Sequence, residues 1–312
     1  MAKVKKTKKL VSVHQFSWGL VFWPAFILAL YLGLAFYLRS IHALHAYSKS
    51  FQALVDFHPP RPPEYAPNLP PTLQSDSWLL LDPSSGETVV ALNPQKRIYP
   101  ASLTKLATAL TALNLYPWTE PVEVLEDYRE GKVISLTIGQ KLTVGSLVQA
   151  VIIHSANDAA VALADHHPQG QSGFIDTLNK FIAANGLTST HFVNVDGVHS
   201  PDHYSTAADL ARLARLAIAQ EIVLVAAQQT TSSITDLTGQ VVYPLVTTNE
   251  LLGKVPEIEG LKTGWTPEAG GCFIGLFSFG GHRLISVITN SPDRFGDTQQ
   301  LLNWSKANLY WE

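Results

Sequence analysis

The chain has 312 residues, 46% hydrophobic and 15% charged, with 22 Lys+Arg against 25 Asp+Glu, values that exclude a disordered, collagenous or low-complexity protein. Its single cysteine, Cys272, excludes an intramolecular disulfide framework and a cysteine-cluster metal site. The charge is divided unevenly: residues 76–312 hold 14 basic and 23 acidic groups, a net of −9, and the first 75 hold 8 basic and 2 acidic, so the body of the chain lacks the basic stripe of a nucleic-acid binder.

Five lysines, at positions 3, 5, 6, 8 and 9, precede a run of 23 residues without a charge, Phe16 to Leu38. As a helix rising 1.5 Å per residue this run covers roughly 35 Å, enough to cross a hydrocarbon core. A secretory apolar region is shorter, about 7–15 residues, and Arg39-Ser40-Ile41-His42 offers no small-residue cleavage site. We read residues 16–38 as an uncleaved transmembrane signal anchor. The basic tail, 1–15, is expected on the cytoplasmic side and everything after residue 39 outside. Residues 39–58 read as an amphipathic stalk. Seven prolines between Pro59 and Pro71 predict an extended polyproline spacer of about 3.1 Å per residue. Stalk and linker thus occupy 39–74, and one folded domain occupies 75–312.

Within that domain, Ser77–Asp82 and Thr88–Ala91 are apolar and partly β-branched, and Pro83-Ser84-Ser85-Gly86 between them predicts a hairpin. A helix is expected from Ser102 to Leu115, stopped by Pro117. Thr143 can cap a helix running to His154, and another starts just after Ser155-Ala156-Asn157. Ser172 to Ala184 reads as a helix with Gly186 as its stop. Ser205 or Thr206 caps one through Ala217, with Leu210, Leu213 and Leu216 at helical spacing. Strands follow at 230–236, 241–246, 271–279 and 283–289, the last two joined at Gly280-Gly281, and Phe295–Leu309 closes the chain as a helix. Strands at both ends with helices between predict an α+β fold. One antiparallel sheet, built from both ends of the domain, would be flanked by helices and carry an inserted helical lobe.

Three short patterns carry chemistry. Ser102-Leu103-Thr104-Lys105 puts a hydroxyl at a helix start, where backbone N–H groups favour negative charge, and an amine one turn away on the same face. A neutral Lys105 amine there could take the Ser102 proton as the hydroxyl attacks, which requires burial or a nearby cation to lower its pKa. Ser155-Ala156-Asn157 lies between two helices, where a hydroxyl can relay a proton and an amide can hold a carbonyl. Lys262-Thr263-Gly264, expected just before the late strand pair, adds positive charge, a carboxylate-binding hydroxyl and a glycine for close approach. Each alone is an ordinary cap or turn. All three occur once, in this order, 53 and then 107 residues apart.

Together these patterns resemble the penicillin-binding-protein and serine β-lactamase superfamily. The surrounding text is similar to its low-molecular-mass D-alanyl-D-alanine carboxypeptidases: Tyr99-Pro100-Ala101 before Ser102, His154 before Ser155, Asp158-Ala159 after Asn157, and Phe192-Val193-Asn194-Val195-Asp196-Gly197. His203-Tyr204-Ser205-Thr206-Ala207-Ala208-Asp209-Leu210, Thr248-Asn249-Glu250-Leu251-Leu252 and Gly260 to Cys272 extend the likeness over residues 75–312.

The resemblance implies a β-lactamase/transpeptidase-like fold and removal of the terminal D-alanine from peptidoglycan stem peptides ending in D-Ala-D-Ala. It implies Ser102 as nucleophile and Lys105 as base, with Ser155 and Lys262 passing a proton to the departing D-alanine. Asn157 would orient the substrate. The backbone N–H groups of Ser102 and Trp265 would hold the oxyanion. Thr263, with Thr266 or Arg294, would bind the terminal carboxylate, and Gly264 would admit the substrate. β-Lactams are expected as covalent inhibitors, and no cofactor or metal is implied.

Departures are also visible. Carboxypeptidases of this kind carry a cleavable signal, a second β-rich domain and a rear amphipathic anchor. Here the sequence runs about fifty residues past Lys262, and the front helix is expected to replace the rear anchor. Ala156 stands where glycine is common and Trp265 where histidine is frequent. A class A β-lactamase would need a deacylating glutamate, and residues 185–195 hold no Asp or Glu. A D,D-endopeptidase cutting cross-links has the same chemistry with another leaving group, and an inactive wall-binding homologue is expected to lack one or more of Ser102, Lys105 and Lys262, all present here. The His199 and His203 pair reads as loop polarity, without a third metal ligand.

Overall fold

The computed structural model describes residues 31–35, 39, 61–65 and 70–311. The chain divides into two units, residues 1–59 and 60–312. In the first, 31–35 and 39 are helical. The remainder of the expected membrane span and of the expected stalk, 40–58, lie outside the described residues. Among the described residues no helix is long and apolar enough to cross a membrane.

The second unit opens with β1 (Glu64–Tyr65), β2 (Ser77–Leu81) and β3 (Thr88–Leu92), then a 3₁₀ turn (Ala101–Leu103) that leads into α1 (Thr104–Leu115). A lobe follows: β4 (Pro121–Glu123), β5 (Lys141–Thr143), α2 (Val144–Gln149), a π turn (Ala150–His154), α3 (Asn157–Asp165) and α4 (Gly170–Ala184). Then come α5 (Ala207–Ile218), α6 (Glu221–Ala227), β6 (Thr231–Thr235), β7 (Val242–Val246), β8 (Ile258–Thr266), β9 (Gly270–Phe279), β10 (His282–Ser291), α7 (Arg294–Asn308) and β11 (Leu309–Tyr310).

The main sheet has the order β3-β2-β10-β9-β8, every pairing antiparallel. Its strands alternate sides with period two. Leu79, Leu81, Ile274, Leu276, Ile285 and Val287 join the core with α1, α5 and the lobe. Trp78, Leu80, Phe273, Phe277, Leu284 and Ile288 point the other way and pack with Leu301, Leu302 and Trp304 of α7. Both faces are therefore covered, which is why these strands read as nearly unbroken apolar runs. Each such side chain removed from water contributes about 1.5–3 kcal/mol, so β2, β9 and β10 are the thermodynamic centre of the unit. The expected α+β arrangement, with a sheet built from both ends and helices around it, is the one observed.

Caps follow local chemistry. Thr143 accepts from Ser146 N at 3.0 Å and starts α2, and Thr206 accepts from Asp209 N at 3.1 Å and starts α5. Four details differ from expectation. The helix expected to begin at Ser102 begins at Thr104, with Ser102 inside the 3₁₀ turn. The helix expected to run from 143 to 154 changes to a π turn over its last five residues. Lys262-Thr263-Gly264, placed ahead of the strands, lies inside the nine-residue β8. Gly260, Lys262 and Gly264 interrupt any apolar alternation there, and pairing along β9 imposes the extended state. The proline-rich linker also contributes to the fold: Glu64 and Tyr65 pair with Tyr310 and Leu309, and Leu73 is buried in the α7-side core.

Candidate active site

Ser102 owes its placement to an unusual turn. Ala101 has φ +48°, a left-handed conformation costing a non-glycine residue roughly 1–2 kcal/mol. Thr104 Oγ1 donates to the Ala101 carbonyl at 2.9 Å and lies 2.7 Å from His203 Nε2. His203 Nδ1 accepts from Val193 N at 3.2 Å, so the ring proton resides on Nε2 and is donated to Thr104. His203 is thus buried rather than a polar loop residue, and burial holds its pKa near 3, keeping it neutral. Two glycines complete the turn. A Cβ on Gly197 would lie 2.0 Å from the Ala101 oxygen, and one on Gly264 would lie 3.0 Å from Ser102 N.

Lys105, one helical turn on, is fully buried. Its Nζ lies 2.9 Å from Ser102 Oγ and donates to the Asp196 carbonyl at 2.6 Å. Burial lowers its pKa from 10.5 to about 8, against the opposing pull of Asp196 and Asp158. With a neutral amine the same 2.9 Å contact carries the proton the other way, Ser102 Oγ–H donating to nitrogen. The Asp196 carbonyl is itself fixed: Thr108 Oγ1 holds the Val195 carbonyl at 2.6 Å, and the Asp196 carboxylate accepts from Tyr128 Oη at 2.9 Å and Val198 N at 3.2 Å.

A second amine–hydroxyl pair stands beside the first. Ser155 closes the π turn in a left-handed conformation, φ +62°, and its Oγ accepts from Lys262 Nζ at 2.9 Å. Lys262 also donates to the Thr263 carbonyl at 3.1 Å. Burial, then the charges of Lys105, Lys132 and Arg294, hold its pKa well below the usual lysine range. Strand β8 carries Lys262 at the free edge of the sheet, and Thr263 Oγ1 hydrogen-bonds to Thr248 Oγ1.

These groups open onto a cleft of about 300 Å³ between sheet and lobe. Ser102, Ser155 and Asn157 line it, as do Thr263, Gly264, Trp265, Thr266 and Arg294, with Lys105 and Lys262 bonded behind the two serines. Asn157 Nδ2 donates to the Glu130 carbonyl at 2.9 Å and its backbone N–H to the Lys132 carbonyl at 2.7 Å. Asp158 accepts from Ile134 N at 3.1 Å and Leu136 N at 3.0 Å. The loop 130–136 therefore hangs on the first two residues of α3. Trp265 is 61% exposed at the mouth. Thr266 Oγ1 accepts from Ala269 N at 3.1 Å, capping the β8–β9 turn, and the Arg294 guanidinium sits 4.6 Å over the Phe295 ring.

Sequence reasoning missed the Asp196 carbonyl, Thr248, His203 and the Gly131-Lys132 rim. Asp196-Gly197 reads as a turn, and a main-chain oxygen carries no residue signature. Cys272 is buried beside the site, and burial raises its thiol to about 11, which makes it unreactive. Among the described residues no three His, Cys, Asp or Glu side chains converge to hold a metal ion.

A buried lysine amine against a serine hydroxyl, with a second lysine–serine pair alongside, is chemically suited to acyl transfer through the serine. Comparisons with known proteins show the family. The chain resembles D-alanyl-D-alanine carboxypeptidase DacA of Haemophilus influenzae, 30% identical over 255 residues, which cover 77% of this chain and 64% of that protein. It thus spans slightly under two-thirds of that relative's length. Its fold matches the Streptomyces K15 DD-transpeptidase with TM-score 0.72 and 26% identity, covering 77% of this chain and 100% of the other. Penicillin-binding protein D2 of Listeria monocytogenes, solved with ampicillin bound, matches with TM-score 0.65 and 30% identity over 76% of this chain and 99% of that one. The family model described as D-alanyl-D-alanine carboxypeptidase matches residues 64–293, and the chain belongs to that family.

Proposed function

We propose that this protein is a serine-type D-Ala-D-Ala carboxypeptidase that trims the terminal D-alanine from peptidoglycan stem peptides. The observation that carries the reading is the 2.9 Å contact between Ser102 Oγ and the Lys105 amine, whose pKa burial brings down to about 8. Neutral Lys105 takes the hydroxyl proton while Ser102 Oγ bonds to the carbonyl carbon of the penultimate D-alanine. In this reading the backbone N–H groups of Ser102 and Trp265 donate to the tetrahedral oxyanion as its charge develops. Ser155, backed by Lys262 at 2.9 Å, hands a proton to the departing amine as the C–N bond breaks. Lys105 passes the proton it took on to Ser155, replacing the one given to the amine, and is neutral again when water attacks the ester; it then takes the water proton and returns it to Ser102 Oγ as the ester bond breaks.

The substrate strand lies along the free edge of β8, where main-chain groups add an extended peptide to the sheet. Asn157 orients it, Gly264 gives it room, and Thr263, Thr266 and Arg294 receive its terminal carboxylate. β-Lactams acylate Ser102 by the same attack. We assign the apolar run at 16–38 as a single membrane span with the lysine-rich end cytoplasmic, so that the catalytic domain, 75–312, works outside the cell membrane.

The test is twofold. Incubated with a fluorescent penicillin, the full chain is expected to label covalently and Ser102→Ala is not. Incubated with diacetyl-Lys-D-Ala-D-Ala, the wild type is expected to release D-alanine. Rapid penicillin turnover without D-alanine release would transfer the protein to the β-lactamases. Labelling with cleavage only of cross-linked dimers would make it an endopeptidase, and no labelling would make it an inactive wall-binding homologue. Carbonate-resistant, detergent-soluble fractionation of the full chain checks the anchor.

A further inference from the structure

The cleft carries cations on both walls. On the sheet side Arg294 lines it at the start of α7, and on the lobe side Lys132 lines it from the loop hung on Asn157 and Asp158. Two carboxylates nearby already have partners. Asp158 is taken by the Ile134 and Leu136 N–H groups, and Asp196 by Tyr128 Oη and Val198 N. Lys132 is different: its ammonium makes no hydrogen bond or ion pair among the described residues. Its carbonyl is nevertheless fixed by Asn157 N at 2.7 Å, so the residue is held at the rim of the cleft it lines, near enough for its charge to act on Lys262 and His154.

A ligand with one carboxylate satisfies one wall. If the terminal carboxylate goes to Thr263 and Arg294, the charge at Lys132 is left for an anion on the acyl part of the substrate. We infer that Lys132 is a specificity-determining residue, selecting acyl donors whose residue before the scissile D-Ala-D-Ala pair ends its side chain in a carboxylate. This rests on the carboxypeptidase reading above. An acidic side chain of about lysine length is the chemical class, and a plain amine there is disfavoured by repulsion from Lys132.

The test uses the full chain and two acetylated peptides ending in D-Ala-D-Ala. One has 2-aminopimelate before that pair and the other has the side-chain carboxamide of the same residue. The wild type is expected to favour the carboxylate about fivefold in kcat/KM, the upper range for an exposed ion pair, and the preference should shrink as salt is raised. Lys132→Gln brings the ratio to about one and Lys132→Arg keeps it, as an exposed charge of either kind would. Fluorescent-penicillin labelling of Ser102 reports that each variant is folded. A wild-type ratio of one or less, or a ratio unmoved in Lys132→Gln, overturns the inference while leaving the reaction standing. Labelling of Ser102 without D-alanine release from either peptide overturns both.

Discussion

The base assignment has a pH signature. If Lys105 must be neutral to take the Ser102 proton, the acylation rate follows the fraction of free amine. With a pKa of about 8, that fraction is about 9% at pH 7 and about 91% at pH 9, a tenfold gain. The assay is the second-order rate of fluorescent-penicillin acylation at constant ionic strength, read from labelled protein quenched at short times. Below pH 7 the rate should fall about tenfold per unit of pH. Lys105→Arg keeps the charge and cannot release it, and the loss expected is about 10²–10⁴, the range for a positioned base. The same amine leaves a mark on stability. Its drop from 10.5 to about 8 corresponds to roughly 3 kcal/mol. Between those values the unfolded chain holds the proton and the folded one does not. The cost is therefore complete below pH 8 and vanishes as pH rises toward 10.5. Wild type should gain stability over that window relative to Lys105→Met. A rate that is flat or falling between pH 7 and 9 refutes the reasoning, because no lysine base of this pKa behaves so.

Other consequences concern the frame around Ser102. Gly197→Ala puts a Cβ 2.0 Å from the Ala101 oxygen, so the nucleophile turn must shift, and a displacement of about 1 Å costs about a hundredfold in rate; acylation within threefold of wild type, in protein with unchanged circular dichroism, would contradict this. His203 has a folded pKa of about 3 against 6.5, so its stabilisation is complete above 6.5 and lost as pH falls toward 3. It amounts to roughly 5 kcal/mol at most, and urea titrations should show a shallower acid decline in His203→Gln than in wild type. Native protein should resist iodoacetamide at Cys272, whose buried thiol is held up at about 11; alkylation as fast as in urea would mean that the region beside β9 opens readily.

How much of this was readable from residues alone depends on where each signal resides. The β2–β3 hairpin, the Thr143 and Thr206 caps and the paired strands β9 and β10 each announce themselves over a few neighbouring residues. They emerge within a residue or two of expectation. Strand β8 does not, because Gly260, Lys262 and Gly264 each break a strand pattern and the extended state comes from its register on β9. The pairing of Glu64 with Tyr310 joins two-residue segments from opposite ends of the unit, and neither has a local pattern to find. At the site, the side chains assigned to the chemistry were legible because their types are distinctive at short spacing. The groups that aim them were not: a carbonyl at Asp196, a hydroxyl at Thr104 and a ring at His203 look like ordinary turn and cap residues until the fold brings them together.

What unites the site is that it is assembled from choices that cost stability. Ala101 and Ser155 occupy left-handed backbone conformations at φ +48° and +62°, where glycine or asparagine is the cheaper residue. Lys105 and Lys262 bury amines that burial pushes toward the neutral form. The π turn at Ala150–His154 departs from regular α geometry one residue before Ser155. A chain selected only to fold would place glycine at the two backbone positions and leucine or methionine at the two buried lysines. All of these departures converge on one cleft, and each is held by partners with no other evident use. Thr104 and His203 hold the Ala101 carbonyl, the Asp196 carbonyl holds Lys105, and the Lys262–Ser155 bond holds the left-handed turn. Strain and buried charge that cluster in this way, with dedicated support, mark where binding and chemistry take place.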